Sequence, residues 1–191
     1  MTAATPARKG QRTRQRILLA ARKVFAEAGY EKATIRGIAE LSGVDKASVI
    51  KHFGSKQDLF DEAVQWTVPV DELTTADPAQ TAQNFLQGML DAWAADPDGP
   101  MAVLLRTAMT SPDALELLRT QVTEQAVTSV AATIDGPDAR LRAALLSAVL
   151  MGIASQRYLL QFPDLAAASD DDIVRIMAPV LGGLLSPDGA W

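Results

Sequence analysis

The sequence contains no cysteine and only one histidine, His52. Disulfides, thiolate metal sites and a cysteine nucleophile are therefore excluded, and no second imidazole is present to share a zinc or iron ion. The sequence also has no glycine-rich phosphate loop and no serine elbow, and its acidic run at 170–172 is typical of the start of a helix. We therefore expect neither enzymatic activity nor a bound metal or cofactor.

Long apolar stretches are also missing. The longest run, residues 143–154, is interrupted by Ser147 and is shorter than the roughly 20 residues that span a bilayer. Residues 1–16 are polar and basic and lack the apolar centre of a secretory signal. Because 191 residues with 48% hydrophobic content can bury a core, we expect a soluble, cytoplasmic protein that is neither exported nor embedded in a membrane.

Charge is distributed unevenly along the chain. Residues 1–60 carry twelve Lys or Arg against five Asp or Glu, whereas residues 61–191 carry six against eighteen, and no lysine follows Lys56. The net charge of −5 therefore conceals a basic first part and an acidic remainder. A solvated helix face could explain some of this asymmetry, but it favours a polyanionic partner, nucleic acid or an anionic membrane, for the first part only.

The spacing of apolar residues predicts an all-α protein. Residues 11–28 have helical spacing and are followed by Gly29, which can stop a helix in a left-handed conformation. Thr34 can cap a second short helix. A turn at 42–44, which contains a glycine, separates it from a third helix over 45–53 that begins with a capping aspartate.

Proline and glycine divide the rest of the chain. A fourth helix begins at Ser55 in a capping-box sequence with Asp58, and the prolines within residues 66–78 mark a domain boundary. Helical segments are then expected at 79–95, 100–110, 113–135, 138–162 and 171–185. No stretch alternates apolar and polar residues for long enough to predict a sheet.

One region carries a more specific signal. The stretch from Arg14 to Phe60, RQRILLAARKVFAEAGYEKATIRGIAELSGVDKASVIKHFGSKQDLF, resembles the amino-terminal domain of the TetR family of bacterial transcriptional regulators. The resemblance covers 47 of the 191 residues, and the remainder is similar only in being helical. It is carried, in order, by Ile17-Leu18, Ala20-Ala21, Phe25, Gly29-Tyr30, Thr34, Ile38-Ala39, Gly43-Val44, His52-Phe53, Ser55-Lys56 and Leu59.

The resemblance implies a three-helix DNA-binding head with a helix-turn-helix, followed by a larger helical body that binds a ligand and forms a dimer. We accordingly expect a flexible basic arm at 1–13, a helix-turn-helix DNA-binding domain at 14–60 and an effector-binding and dimerisation domain at 61–191. The third helix is then the one that enters the major groove of double-stranded DNA.

Spacing also indicates which side chains of the head face DNA. Val49 and Phe53, four residues apart, should face the core. Lys46 could donate to guanine, whereas lysines at 51 and 56 are better placed for phosphates or are simply solvated. The expected DNA-binding residues are Thr34, Arg36, Lys46, Ala47, Ser48, Lys51, His52 and Lys56.

Several of these residues have a second interpretation. Thr34 can act as a helix cap alone, and the Ser48 hydroxyl can bond only to its own helix. The resemblance favours a phosphate contact for His52 over a place in the core. The sequence departs from the family at Ile50, where a tyrosine that reaches the DNA backbone is usual, and this removes one expected hydroxyl contact.

A long apolar stripe predicts contact between subunits. Residues spaced by four and three form one continuous stripe on a helix of about seven turns, with small side chains at the centre, and a second stripe follows in the last segment. A two-fold dimer with a four-helix interface is also what the resemblance implies, although both stripes could pack within one subunit. The stripe residues are Leu141, Leu145, Ala148, Gly152, Ser155, Leu159, Ile173, Met177, Val180 and Leu184.

The body is also rich in methionine and aromatic side chains, which suit an apolar guest molecule but fill a solid core equally well. The candidates to line an effector cavity are Phe85, Met89, Trp93, Leu105, Met109, Val122 and Tyr158. Together with the family resemblance, these features predict a repressor that a small apolar molecule releases from a palindromic operator. The alternative is a ligand-independent DNA-binding or architectural protein, which needs no cavity and little sequence preference.

Overall fold

The structure, a computed structural model, describes residues 6–186, with side chains from residue 10 onward. Every regular element in this part of the chain is a helix, which confirms the all-α prediction. In chain order the helices are α1 (Pro6–Lys32), α2 (Ile35–Ser42), α3 (Lys46–Phe53), α4 (Lys56–Ala63), α5 (Val70–Leu73), α6 (Pro78–Ala95), α7 (Pro100–Ala108), α8 (Pro112–Gln121), α9 (Ser129–Ala131), α10 (Ala139–Ala154), α11 (Pro163–Ala167) and α12 (Asp170–Leu185).

Two helices continue with a wider turn. α8 runs into a π-helix at Val122–Thr128 that leads directly to α9, and α10 runs into a π-helix at Ser155–Leu159. In a π-helix each backbone hydrogen bond joins residues five positions apart instead of four, and such segments occur frequently at functional sites. Both belong to the part of the sequence expected to bind an effector and to form a dimer.

The chain forms two compact units. Unit 1 contains residues up to Trp66 together with Asp98–Leu118, and unit 2 contains Thr67–Pro97 together with the chain from Arg119 onward. This division differs from the sequence-based boundary, because α7 packs against α1 within unit 1. The first division lies at the expected junction near residues 66–78, but the chain then returns to unit 1 before it completes unit 2.

Local caps define the short helices of unit 1. The Thr34 hydroxyl accepts the backbone N–H of Gly37 (3.1 Å), which begins α2. Asp45 accepts the N–H of Ser48 (2.7 Å), which begins α3. The predicted capping box of α4 is confirmed, since the Ser55 hydroxyl accepts from the Asp58 N–H (3.0 Å) and the Asp58 carboxylate accepts from the Ser55 N–H (3.1 Å).

The turn between α2 and α3 requires a glycine. Gly43 has φ 64° and ψ 39°, in the left-handed region, where an L side chain is strained. A Cβ at this position would also lie 3.2 Å from the Arg16 guanidinium. Glycine therefore sets the angle at which α3 leaves α2.

Aromatic rings form the centre of unit 1. The Phe25 and Phe60 rings meet edge to face, with centroids 5.1 Å apart, and Tyr30 contacts the same Phe60 ring at 4.9 Å. Edge-to-face pairs add roughly 0.5–1.5 kcal/mol to the burial of the rings. Because Phe60 belongs to α4, these contacts hold the fourth helix against the carboxyl end of α1.

Unit 2 is built around the packing of α6 against α12. At Gly182, an added Cβ would lie 3.2 Å from the backbone Cα of Ala79, so the two helices come into backbone contact there. Arg142 on α10 is buried and secures the end of α12, since its guanidinium donates to the carbonyls of Leu184 (2.7 Å), Asp135 (3.3 Å) and Ser186. Such a cation stabilises the negative end of a helix.

The segment expected to be a flexible arm is largely part of α1. The helix begins at Pro6, so the backbone of residues 6–13 is helical, while residues 1–5 lie outside the described residues. Gly29 interrupts α1 with φ 72° and ψ 164°, at the position where the sequence predicted a stop.

Candidate functional site

Helix α3 presents one continuous exposed face. Lys46, Ala47, Ile50 and Lys51 are exposed, whereas Val49 and Phe53 are buried in unit 1. Neighbours on this face are three or four residues apart (46 and 50, 47 and 50, 47 and 51), so the four positions lie on the same side of the helix. The face therefore consists of two ammonium groups around two apolar side chains.

Arginines from α1 hold the turn that orients this face. Arg16 donates to the carbonyls of Ser42 (2.5 Å) and Gly43 (3.2 Å), which are the last residue of α2 and the glycine of the turn. Arg14 forms an ion pair with Glu62 and lies over the Phe53 ring at 4.9 Å. Because the same helix contacts the turn and the end of α3, the position of α3 is fixed from both ends.

Lys56 has a structural role that the sequence did not indicate. Its ammonium group donates to the carbonyls of Tyr30 (2.9 Å), Ala33 (3.3 Å) and Glu31 (3.5 Å), and it lies 4.3 Å from the centre of the Tyr30 ring. An ammonium group has three donors, and all three are used. The expected phosphate contact of Lys56 stays a prediction, but it would have to replace one of these bonds.

The other side chains predicted to contact DNA differ in how many of their polar groups already have a partner within unit 1. Thr34 is exposed and caps α2, so both of its proposed roles remain compatible. The Arg36 side chain is exposed and forms an ion pair with Glu40 (3.2 Å) one turn later. The Ser48 hydroxyl donates to the capping Asp45 (3.0 Å), which leaves it as an acceptor, and His52 is half-buried beside the Phe53 ring.

Two carboxyl groups of unit 1 have shifted pKa values of opposite sign. Hydrogen bonds from the Ser48 backbone and hydroxyl lower the pKa of Asp45 below its ordinary 3.8. Burial raises the pKa of Asp61, although the Gln57 amide donates to it (2.7 Å) and acts in the opposite direction. Asp45 at the start of α3 therefore stays ionised in mild acid, which preserves the cap of this helix.

The predicted stripe on α10 lies at the surface of unit 2. Leu141 is 60% exposed, Leu145 and Ala148 are exposed too, and Ser155 and Leu159 are half-buried. At Gly152, an added Cβ would meet no atom within 4 Å outside its own helix. Apolar and small side chains therefore form a surface that packing within the subunit leaves uncovered.

The predicted stripe on α12 needs a correction. Ile173 and Leu184 are each only 5% exposed, because they belong to the hydrophobic core of unit 2 that α12 forms with α6. The exposed apolar side chains of α12 are Ile176 and Val180, one turn apart, and Met177 is half-buried beside them. The free face of α12 is thus rotated from the predicted one, with Val180 common to both.

The predicted effector residues separate into two groups. Phe85, Met89, Trp93, Val122 and Tyr158 belong to unit 2, where the Trp93 and Tyr158 rings stack with centroids 5.8 Å apart. The Tyr158 hydroxyl donates to the Leu90 carbonyl (3.1 Å). Phe85 and Met89 contribute to the hydrophobic core of the same unit.

Leu105 and Met109 do not join this group. Both lie in the part of the chain that belongs to unit 1, and Met109 is 81% exposed. Met109 at the end of α7 is therefore corrected from a cavity-lining residue to a surface residue. A groove of about 270 Å³ in unit 2 is lined by Val68, Pro69, Val70, Asp71, Glu72 and Ser129, none of which the sequence had suggested.

Gln121 is a further candidate, which the sequence does not indicate. Its side chain is 5% exposed, and neither the amide nitrogen nor the amide oxygen has a hydrogen-bond partner in the described structure. A buried polar group without a partner costs about 1–3 kcal/mol, which a water or a ligand would recover. Gln121 is also the last residue of α8 before the π-helix. Nothing in its sequence neighbourhood signals burial, because it lies in a polar run.

Comparison with known proteins identifies the family to which the chain belongs. Residues 17–63 match the profile described as "Bacterial regulatory proteins, tetR family", and residues 79–185, more than half of the chain, match "Tetracyclin repressor-like, C-terminal domain". The chain belongs to the TetR family. The resemblance seen in the head is thereby confirmed and extends into the body.

Individual TetR relatives are similar mainly in the head. The HTH-type transcriptional repressor AcnR of Corynebacterium glutamicum is 46% identical over 52 residues, which is 27% of this chain and 28% of that protein. The HTH-type transcriptional activator FasR of Mycolicibacterium smegmatis is 28% identical over 157 residues, covering 76% and 71%. The chain spans only about a quarter of the length of the AcnR repressors that it matches.

A solved structure supports the TetR fold along nearly the whole chain. A TetR-family regulator from Streptomyces coelicolor superposes with a TM-score of 0.61 at 25% identity, covering 96% of this chain and 99% of that one. Within residues 6–186, no helix is both long and apolar enough to cross a membrane. In the same residues, no group of three or more His, Cys, Asp or Glu side chains could hold a metal ion.

Proposed function

We propose that this protein is a dimeric, sequence-specific DNA-binding repressor whose affinity for its operator falls when a small molecule binds unit 2. The observation that carries the proposal is the exposed face of α3, which α1 holds through bonds to the preceding turn. A fixed helix with free side chains at the end of a helix-turn-helix is suited to the major groove. The function involves no catalysis, and it requires the protein to reach DNA in the cytoplasm.

Within this proposal, the side chains of the head divide by role. Lys46 near the start of α3 contacts a base edge, because the amino-terminal residues of a reading helix reach deepest into the groove. Lys51, Arg36 and His52 contact phosphates. Thr34, at the N-terminal end of α2, contacts a phosphate together with the backbone N–H groups of that helix end. Since Arg14, Arg16 and Lys56 already have partners within unit 1, the phosphate contacts come from fewer cations than the charge of the head suggests.

The exposed surface of α10 and α12 supports a two-fold dimer. The two helices pack against each other in unit 2, and both leave apolar side chains uncovered, Leu141 and Leu145 on one and Ile176 and Val180 on the other. A two-fold axis lets the same surface cover itself. The dimer then places two α3 helices about 34–36 Å apart, one turn of DNA, on a palindromic operator.

Unit 2 also supports an effector that is largely apolar with one polar group. The stacked Trp93 and Tyr158 rings offer aromatic surface, and the buried Gln121 amide offers a nitrogen and an oxygen that have no partner in the described structure. An amide, carboxylic acid or similar group would satisfy Gln121. If the effector favours a conformation that cannot span both half-sites, a coupling of about 1–3 kcal/mol lowers operator affinity roughly 5–150-fold.

The test begins with selection of duplexes from random-sequence DNA by the purified protein. We expect enrichment of one palindromic site, footprints on both half-sites and a protein that sediments as a dimer at micromolar concentration. No enrichment, with equal affinity for all duplexes, would support the architectural alternative. Undiminished operator binding by a monomer would contradict the dimer.

Repression and the effector require separate readouts. Transcription from a promoter that overlaps the selected site should fall when the protein is added, whereas activation would reverse the proposed sign, as the FasR relative allows. A panel of lipophilic acids and amides should raise the melting temperature of the wild type. It should not raise that of Gln121→Leu, which fills the same space without polar atoms. Identical shifts for both proteins would remove Gln121 from the effector site.

A further inference from the structure

The exposed face of α3 has an unusual composition for a helix that reads DNA. Its centre is formed by Ala47 and Ile50, one turn apart, and its edges by Lys46 and Lys51. Ile50 is 41% exposed, although Val49 and Phe53 on the other side of the same helix are buried. Packing in unit 1 therefore does not explain a large apolar side chain at this position.

The hydrogen-bonding capacity of this face is correspondingly small. It carries no Asn, Gln or Arg, the side chains that bind bases through two parallel hydrogen bonds. The Ser48 hydroxyl already donates to Asp45, at 3.0 Å. What α3 offers to base edges is thus one or two ammonium groups and an apolar pair.

The major groove contains one apolar group that such a pair can recognise. Among the four bases, only thymine presents a methyl group there, and apolar side chains contact it. We propose that Ala47 and Ile50 read the C5-methyl group of thymine in each operator half-site, with Ile50 as the main specificity-determining residue. This inference rests on the proposed function, because it requires that α3 lies in the major groove.

The charges around the pair support this occupant over a protein partner. Lys46 precedes Ile50 by one turn and Lys51 follows it directly, so the apolar patch is bordered by cations on both sides. Phosphates flank the base edges of the major groove in the same manner. A patch of this size, between two ammonium groups, fits a methyl group in an anionic groove.

The test removes the C5-methyl group of thymine and leaves the hydrogen-bonding groups of the base intact. In the operator selected by the wild-type protein, each thymine is replaced in turn by deoxyuridine, and the dissociation constant is measured for the full chain. At the contacted position we expect about fourfold weaker binding for one half-site, since burial of one methyl-sized group contributes roughly that factor. Replacement in both half-sites should weaken binding about fifteenfold.

A variant then assigns the effect to Ile50. Ile50→Ala should bind the thymine and deoxyuridine operators with nearly equal affinity. The matched control is Leu41→Ala, which truncates a similarly exposed apolar side chain on α2 and should keep the full thymine preference. Thermal melting of both variants reports whether unit 1 stays folded. The comparison of thymine and deoxyuridine operators with the wild-type protein does not depend on any variant.

The outcomes separate this inference from the proposed function. If the protein selects an operator but tolerates deoxyuridine at every position, the function stands and the thymine inference is wrong. If Ile50→Ala keeps the full preference for thymine, the methyl group acts elsewhere, for example through DNA flexibility, and Ile50 loses its role. If no operator is selected, the proposed function itself fails.

Discussion

Unit 1 and unit 2 stabilise their functional surfaces in different ways. In unit 1, Arg16, Arg22 and Lys56 reach carbonyl groups 23 to 41 residues away in the sequence, so the position of α3 is determined within one subunit. In unit 2, Leu141 and Ile176 remain exposed on packed helices. The contrast supports the proposal that the DNA-facing surface is complete in one chain, whereas a second copy covers the apolar surface of the body.

The strongest way to break this contrast is to remove the aromatic centre of unit 1. Phe60→Ala should destabilise unit 1 by about 3–5 kcal/mol, because it deletes a buried ring that contacts both Phe25 and Tyr30. Operator binding should be lost while sedimentation still reports a dimer. Phe162→Ala, which truncates a half-exposed ring in unit 2, is the control and should leave binding intact. Dissociation of Phe60→Ala into monomers would show that the units are not independent.

The second prediction acts on the surface of the body. Gly152→Leu should leave a single subunit folded, because the space in front of it is empty, but should raise the dimer dissociation constant about 10–100-fold through overpacking at the interface. Gly182→Ala provides the comparison, since its Cβ would press on the backbone of Ala79 and destabilise the subunit itself. Sedimentation and thermal melting together distinguish the two. A fully dimeric Gly152→Leu would place the interface elsewhere.

Two lysines of the head offer a sharper contrast. Lys56→Met should lower the stability of unit 1 by about 1–3 kcal/mol, because the carbonyls at the end of α1 lose their donor. Lys51→Met should leave stability unchanged and lower the salt dependence of DNA binding by about one unit of slope per subunit. Denaturant titration and binding at several salt concentrations measure both. Equal stability of the two variants would mean that the bonds of Lys56 contribute little.

The smallest expected effects concern acid. The lowered pKa of Asp45 means that its stabilising bonds are present above the ordinary value of 3.8 and are lost as the pH falls through the lowered value. The raised pKa of Asp61 has the opposite sign, so stability is gained as the pH falls through it. Melting temperatures between pH 6 and 3 should therefore decline less for Asp45→Asn than for the wild type, and more for Asp61→Asn. Parallel curves for all three proteins would contradict both assignments.

The sequence predicted the head in detail because its determinants are local. The Asp45 cap, the Gly43 turn and the Ser55–Asp58 box each depend on residues within four positions of one another. The role of Lys56 could not be predicted in this way. Its partners lie 23 to 26 residues earlier, and a sequence shows a charge without showing which carbonyl groups surround it.

In the body, the helices were predicted well and their faces less well. A stripe of apolar residues on α12 indicates a buried face but not the helix that buries it. The sequence therefore predicts that a partner subunit covers Ile173 and Leu184, whereas α6 and the core of unit 2 cover them. The sequence predicts a cavity-lining role for Met109 because nothing in it shows that α7 packs on α1. Gln121 was overlooked because burial of an amide has no periodic signature.

The hydrogen bonds of the buried Arg142 guanidinium have a practical consequence for purification of the protein. This guanidinium is buried among carbonyl groups at the end of α12, where dissolved ions cannot compete with its hydrogen bonds. The phosphate contacts proposed for the head would involve exposed side chains and would weaken steeply as salt is added. A concentrated salt wash should therefore strip nucleic acid from the protein during purification while α10 and α12 keep their arrangement, so that the recovered protein is free of DNA and still folded.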